Sequence, residues 1–443
     1  MNANTVRNLI VLQAMAVCLW SPASAQSGAA ASASAPQGSP YSYRATVYFD
    51  WYGAAFEQGG GFLNQIGTRV KFELAKQPSR SWKFLLDVRD RQNMTSRSGN
   101  QVLLYNVRLT FDPPSNPLYF SVGQMNLYDT VGIGQILGGI AGFKLRSALL
   151  VGGYAGFEQQ IYMSKFDTHY QKFGVFARFT GLRAISLSLS FNQLRFSGKT
   201  ERRYIYAQGL FPVRKLLYVF GNFEYELGPD IKREDRLSRL FLNARFDLSR
   251  YADVTGFFSS GRGLDFHSYI LERSQDPSLQ DRELERFFYS EQYGARVAVK
   301  PVKDIRIYVS RQESRQKDQG ISNHTWRMGA SAADILKSGV SAYGDYSFNR
   351  GTHAESDSFY LSLNKDFGRF SCYLSFADTY NGIRFASSAG AEPQIIHLDG
   401  YNTLSASVFV PLMRRVTLSA EYSYFLQRNA NEHQFFVRLV FRK

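Results

Sequence analysis

The sequence predicts an all-β chain that closes into an antiparallel transmembrane β-barrel of about 22 strands, in a range of about 18 to 22. Three observations predict it: an export signal at the N-terminus, a long series of segments that alternate apolar and polar residues, and connections that alternate between short and longer. The composition agrees with this fold class, because 36 Phe and 27 Tyr against only 13 Pro favour strands.

The first 25 residues are typical of a cleaved secretory signal. Arg7 is their only charged residue, an apolar stretch runs from Leu9 to Trp20, and the small residues Ala23-Ser24-Ala25 precede Gln26. The apolar stretch is too short to cross a bilayer as a helix. We therefore expect cleavage near Ala25-Gln26.

A linker and a single large domain follow the signal. Residues 26–40 contain mostly Ala, Ser, Gly and Pro and have few apolar side chains to bury. Residues 41–443 show the same alternation of apolar and polar residues throughout, which predicts a single barrel domain. Only Cys372 remains after cleavage, so an internal disulfide framework is excluded. The mean hydropathy of −0.27 looks soluble, but it is also the average expected when apolar and polar faces alternate.

The alternation has period two, as in strands with one apolar face. In one early segment Ile66, Thr68, Val70, Phe72 and Leu74 share a face, and Gly67, Arg69, Lys71 and Glu73 share the other. Four further apolar faces are Trp82, Phe84, Leu86 and Val88; Tyr105, Val107, Leu109 and Phe111; Phe173, Val175, Ala177 and Phe179; and Val416, Leu418, Ala420, Tyr422 and Tyr424. More than about fifteen such segments, each able to cross about 25 Å of hydrocarbon, favour a membrane barrel over a soluble sandwich.

The connections are short and longer in turn, as in barrels with tight turns at one rim and loops at the other. Tight ones are predicted at 76–80, 112–117, 181–184, 212–215, 249–252, 301–303, 336–339, 366–369 and 411–415. Longer ones are predicted around 53–61, 92–100, 126–140, 228–235, 263–290, 313–322 and 382–399. The hairpins between 138 and 167 give the weakest signal, which is why the strand number has a range.

The last alternating segment has an apolar face with aromatic residues, formed by Phe435, Val437, Leu439 and Phe441. Arg442 and Lys443 follow Phe441. Over nearly its whole mature length the chain resembles a bacterial outer-membrane β-barrel of the porin-like class. The resemblance implies an outer-membrane location, contact with outer-membrane lipid and insertion by the barrel-assembly machinery. The two basic residues after Phe441 depart from the usual aromatic ending. An even strand number would place both termini in the periplasm.

The inward phase of the alternation carries more basic than acidic residues. The fourteen basic residues are Arg44, Arg69, Lys71, Lys83, Arg89, Arg91, Arg108, Lys172, Arg178, Arg245, Arg296, Arg306, Arg327 and Arg438. The eight acidic residues are Asp50, Glu73, Asp87, Glu224, Glu226, Asp247, Asp345 and Glu421. The predicted pore-lining residues are Arg69, Lys71, Arg89, Arg108, Arg178, Arg245, Arg296, Arg306 and Arg327. Either they favour anionic solutes or they pair across strands and fill a polar interior.

Two connections carry features of their own. The Gly-rich stretch 131–142 does not match G-x-G-x-x-G and lies in no βαβ unit, so a nucleotide site is excluded. It forms either a tight hairpin region or a loop that bends into the barrel and narrows it. In 263–290, Asp276-Pro277 offers a helix start, and this connection forms either a partial plug or an ordinary surface loop.

The sequence predicts no enzyme, no metal site and no cofactor. Six histidines, His169, His267, His324, His353, His397 and His433, have no metal-ligand spacing, and the neighbours Asp265 and His267 are a chance-level pair. Basic residues strung along strands do not favour nucleic acid.

The predicted function is passive diffusion of small hydrophilic, anionic solutes. The alternatives are export of an acidic polysaccharide, as in barrels with Arg-rich lumens such as alginate exporters, and a non-conducting structural or assembly barrel. About fifteen residues between the cleavage site and the first strand are too few for a folded plug domain.

Overall fold

The computed structural model describes residues 41–57, 61–76, 81–95, 101–127, 132, 134–145, 148–159, 166–181, 184–213, 216–228, 236–262, 289–316, 320–385, 394–427 and 431–443. The predicted signal peptide, the linker, and the helix start, Asp265 and His267 in the 263–290 connection lie outside these residues. In the described part of the chain, no helix is long and apolar enough to cross a membrane.

The described chain forms 22 strands. They are β1 (Tyr41–Phe56), β2 (Phe62–Lys76), β3 (Trp82–Asn93), β4 (Gln101–Phe111), β5 (Leu118–Asn126), β6 (Gln135–Leu145), β7 (Leu149–Gln159), β8 (Phe166–Thr180), β9 (Ser186–Phe196), β10 (Lys199–Val213), β11 (Leu217–Glu226), β12 (Leu237–Ser249), β13 (Ala252–Arg262), β14 (Tyr289–Val302), β15 (Ile305–Gln316), β16 (Ile321–Ala332), β17 (Val340–Gly351), β18 (Ala354–Asp366), β19 (Ser371–Phe385), β20 (Gln394–Met413), β21 (Val416–Gln427) and β22 (Glu432–Arg442). One 3₁₀ turn, Ile335–Lys337, lies between β16 and β17.

Every strand pairs antiparallel with its neighbours along the chain, and β1 also pairs with β22. The sheet is therefore closed and leaves no free edge, which satisfies the backbone hydrogen bonds of a strand in lipid. The prediction of a closed antiparallel barrel with about 22 strands is confirmed. Because the strand number is even, both chain ends lie at one rim, here called the terminal rim; that this rim is periplasmic stays a prediction.

The seam between β1 and β22 carries polar contacts at both ends. At the terminal rim the Ala45 and Lys443 amides donate to each other's carbonyl oxygens at 2.9 Å. At the opposite rim the Glu57 carboxylate lies 2.9 Å from Nε2 of His433 and accepts from Asn431 at 2.7 Å. The hydrogen bonds from His433 and then Asn431 lower the pKa of Glu57, which lies just beyond the end of β1.

The predicted tight connections all join strands at the terminal rim. Examples are 112–117 between β4 and β5 and 366–369 between β18 and β19. Five connections escaped prediction, those after β6, β7, β9, β17 and β21, and two of them lie between β6 and β8, where the alternation is weakest. There Gly and Ala replace the larger apolar side chains that mark a strand face elsewhere, as in Gly152-Gly153-Tyr154-Ala155-Gly156 of β7.

Candidate functional site: the inner wall

Contacts that skip a strand identify the inner face of the barrel. Side chains converge on the concave side of a closed sheet, so inward-facing charged side chains can pair across an intervening strand. Arg89 of β3 reaches Asp50 of β1 at 3.5 Å, and Arg306 of β15 reaches Asp253 of β13 at 2.9 Å. Strand register then assigns the other paired residues to the inner or the outer face.

The outer face carries exposed apolar side chains. Val175 is 59% exposed and Leu404 is 53% exposed, and the rings of Phe72 and Phe84 lie 6.4 Å apart across β2 and β3. Such a face suits hydrocarbon and would be costly in water.

Register places all nine predicted pore-lining residues on the inner face. They are Arg69, Lys71, Arg89, Arg108, Arg178, Arg245, Arg296, Arg306 and Arg327. Their role along a solute path stays a prediction. What the structure adds is their partners, which divide them into two groups.

The residues of the first group pair with carboxylates. For this group, the alternative interpretation, that basic residues pair across strands and fill a polar interior, agrees with the structure. The strands β22 and β1 to β4 carry the densest example, here called the basic sector. Arg69 makes two hydrogen bonds to Asp87, at 2.7 and 2.8 Å, and Lys71 lies 4.0 Å from the same carboxylate. Asp50, 7% exposed, accepts from Arg438 at 2.7 and 3.1 Å. Asp50 also meets Arg89, so one buried carboxylate joins three strands.

Three further predicted residues pair in the same way elsewhere on the wall. Arg245 meets Asp247 at 2.9 Å, and Arg306 makes two hydrogen bonds to Asp253 at 2.9 and 3.0 Å. Arg327 donates from Nε to Asp345 at 3.0 Å. These pairs fix the rotamers of the long side chains and cancel much of their charge.

The second group consists of Arg108, Arg178 and Arg296, which have no carboxylate partner among the described residues. The Nε atom of each is buried and has no hydrogen-bond acceptor in this part of the structure. Arg108 and Arg178 both interact electrostatically with Tyr119 on β5, and Arg296 lies over the ring of Tyr308 with its Cζ 4.3 Å from the centroid. Among the nine predicted pore-lining residues, these three side chains carry positive charge that no described carboxylate compensates.

An apolar cluster covers the inner wall between β5 and β10. Its members are Met125, Leu127, Ile136, Ile140, Tyr154, Phe176, Tyr204 and Tyr206, all at most 5% exposed. Inward-facing side chains become this buried only if something lies over them. Leu127 belongs to the connection between β5 and β6, and a Cβ on Gly132 of the same connection would overlap the ring of Tyr206 on β10. The described part of this connection therefore bends inward.

The Gly-rich stretch thus divides into two parts. Residues from Gln135 onward belong to the wall strand β6, which corrects the prediction of a loop over the whole segment. The glycines there serve close backbone packing, because a Cβ on Gly138 would overlap the carbonyl oxygen of Ala155 on β7. Gly132, with φ +73°, lies in the part that bends inward, in agreement with the second of the two interpretations.

A bulge in β4 shifts the alternation, and the sequence pattern missed it. Tyr105 was assigned to the apolar face, but a register shift after Asp87 turns it inward, and its ring lies 4.6 Å from the guanidinium of Arg69. The prediction also left out Arg202, which is in phase with the inward-facing Tyr204 and Tyr206, meets Glu226 and lies 2.9 Å from Glu224. An extra residue changes the phase of a strand and leaves no mark in a period-two pattern.

The described residues contain no group of three or more His, Cys, Asp or Glu side chains placed to hold a metal ion. The imidazole of His324 lies 3.6 Å from Glu313 on the outer face.

Neither a known protein-family model nor a curated protein matches the sequence. Among solved structures, the P pilus usher PapC translocation pore aligns over 90% of this chain and 99% of its own at 9% identity, with a TM-score of 0.50. The outer membrane protein opdK from Pseudomonas aeruginosa aligns over 91% and 99% at 10% identity, with a TM-score of 0.41. OccAB4 from Acinetobacter baumannii aligns over 92% and 99% at 9% identity, with a TM-score of 0.40.

At these identities the likeness concerns the fold alone. The chain has a closed antiparallel β-barrel fold like that of the PapC translocation pore, and the fold that the sequence resemblance implied is confirmed.

Proposed function

We propose that the protein is an outer-membrane channel through which small hydrophilic solutes diffuse, with a preference for anions. An apolar outer face suits hydrocarbon, and a polar, ion-paired inner face suits water, so the barrel can join two aqueous compartments across a membrane. The terminal rim, with its tight turns, would face the periplasm. The aromatic face of β22 would be the feature presented to the barrel-assembly machinery.

The uncompensated arginines carry the proposal. Paired residues such as Arg69 and Asp87 contribute little net field, whereas Arg108, Arg178 and Arg296 have no neutralising carboxylate among the described residues. Fixed positive charge on a low-dielectric wall raises the local anion concentration and repels cations. These three side chains therefore add to the anion preference, beside the inward-facing Arg44 and Arg91 and beside Asp50 and Asp87, each of which is shared by two basic residues.

The inward connection between β5 and β6 supplies a means of narrowing the passage. Its described residues Leu127 and Gly132 lie against the apolar cluster on the lumen side of β5 to β10. Arg108 on β4 and Arg178 on β8 border this side, where the field they create acts on a narrower path.

The proposal is tested with a triple variant, Arg108→Ser, Arg178→Ser and Arg296→Ser, in planar bilayers under a KCl gradient. Loss of three unpaired cations should move the reversal potential of an anion-preferring channel toward the cation side. The matched control is Arg350→Ser, because Arg350 lies on the outer face and pairs with Asp357 at 2.8 Å. A cation-selective wild type, or a triple variant that behaves like the control, overturns the anion channel.

A further inference from the structure

The inner wall between β15 and β21 differs from the basic sector in its chemistry. On the inner face of β17 to β21, the side chains that the structure describes include only Asp345, Asp366 and Glu421 as charged groups. The remaining positions on this face are mostly Ser, Thr, Asn and Tyr. The barrel interior is therefore asymmetric, with dense charge on one side and neutral hydroxyl groups on the other.

Four tyrosines form a continuous band around this neutral side, here called the tyrosine row: Tyr308 of β15, Tyr343 of β17, Tyr360 of β18 and Tyr373 of β19. The hydroxyls of Tyr308 and Tyr343 lie 2.9 Å apart, and the ring centroids of Tyr343 and Tyr360 lie 5.9 Å apart. The hydroxyls of Tyr360 and Tyr373 are hydrogen bonded to each other. The row thus spans five strands without a break.

A glycine makes the row continuous across β16. The ring of Tyr308 passes over Gly329, where a Cβ would lie 2.7 Å from its Cε1 and hydroxyl oxygen. Any larger residue at position 329 would push Tyr308 away from Tyr343. The row is thus a consequence of packing and register together.

A guanidinium group lies at the β15 end of the tyrosine row, and a buried carboxylate accepts hydrogen bonds from two of its tyrosines. Arg296, without a carboxylate partner among the described residues, stacks on the ring of Tyr308. Asp345, 5% exposed, accepts hydrogen bonds from Tyr343, from Tyr308 at 3.3 Å and from Arg327. Asp345 accepts all of these hydrogen bonds on Oδ2 and so holds the tyrosines in place, whereas Arg296 keeps donors free.

Pairs of serine hydroxyls lie beside the tyrosine row, one on β17 and β18 and the other on β20 and β21. Ser347 and Ser358 lie 2.7 Å apart, and Ser405 and Ser423 lie 2.8 Å apart. Each hydroxyl has one donor and two acceptor positions, so a pair satisfies itself and still offers hydrogen bonds to a solute.

We propose that the tyrosine row, its flanking hydroxyls and Arg296 bind anionic solutes that are also polyhydroxylated, such as sugar acids. This inference rests on the proposed function and names its solute class. A sugar ring places its C–H face on an aromatic ring and its hydroxyls against Ser and Tyr groups. The carboxylate meets the unpaired guanidinium of Arg296 through charge-assisted hydrogen bonds. A solute with only one of these features gains only part of the contact.

The test compares current block by three ring carboxylates of similar size: glucuronate, cyclohexanecarboxylate and benzoate. Glucuronate should reduce the wild-type current at a concentration about tenfold lower than either of the others. In the variant Tyr360→Ala with Tyr373→Ala this advantage should disappear. In the control Tyr346→Ala, which removes a tyrosine from the outer face of β17, it should persist.

The outcomes separate the two proposals. Equal block by all three acids, or stronger block by benzoate, overturns the sugar-acid inference while an anion-selective KCl reversal potential leaves the channel function standing. A cation-selective reversal potential overturns the anion preference of the proposed function, on which the sugar-acid inference rests. If the double tyrosine variant does not assemble, Ser347→Ala with Ser358→Ala serves instead, and unchanged glucuronate block in that variant contradicts the inference.

Discussion

At the scale of single residues, orientation decides whether a charge is tolerated. The inner face satisfies its charges in place: Asp50 holds two arginines, and Asp345 holds two tyrosines and an arginine. The outer face of β8 offers no such partners around Val175, whose neighbours in register are Gly153 and Phe191. A charge placed there would face lipid, whereas one placed inward would face water and polar groups.

We predict that Val175→Arg destabilises the assembled barrel by about 2–4 kcal/mol, because the new guanidinium faces hydrocarbon. The matched control is Ser419→Arg on the inner face of β21. Urea unfolding in lipid vesicles measures both, and the control should stay close to wild type. Equal losses in the two variants would contradict the assignment of faces.

The alternation in sequence was enough to predict the inner face for the nine basic residues, and it failed at Tyr105, which lies beside a register shift. A bulge depends on how two strands pair, so the pattern within one strand contains no trace of it. The partners of the arginines were equally hidden, since pairs such as Arg306 with Asp253 skip a strand.

At the scale of elements, the connection between β5 and β6 is the part of the described structure that most alters the lumen. It holds Gly132 with φ +73° against the ring of Tyr206. The sequence indicated a special segment there through its glycines, but it could not say which of them bend inward and which build β6. Gln135–Leu145 becomes a wall strand because its glycines allow β7 to pack backbone against backbone.

We predict that Gly132→Leu increases the single-channel conductance, because the new side chain would overlap Tyr206 and displace the connection from the inner wall. Gly198→Leu is the control, since Gly198 also has a positive φ, +83°, but its Cβ would enter open space. Both variants place a side chain at a position with a positive φ and so share the backbone strain. Only Gly132→Leu adds a steric overlap with Tyr206. Identical conductance in the two would show that the connection does not narrow the passage.

At the scale of the whole molecule, the barrel is a closed sheet whose inner wall differs in chemistry from one side to the other. The strand number was predictable because each strand needs its own alternating segment and turn, and the tight turns at the terminal rim were easy to recognise. The asymmetry of the wall was not predictable, because it depends on which inward-facing side chains of several strands meet, and in the basic sector those strands include the closing pair β1 and β22. The basic sector, the apolar cluster and the tyrosine row are each assembled from several strands.

The measurement that tests the central claim most directly is the ion selectivity of the wild-type protein in planar bilayers at two salt levels. Fixed wall charges act over about 8 Å at physiological ionic strength and about 3 Å at 1 M salt. We predict discrete conductance steps whose reversal potential favours anions at low salt and approaches the unselective value at high salt. Steps with cation preference would contradict the anion preference, and a folded, heat-modifiable barrel that gives no conductance at all would contradict the channel and favour a structural barrel.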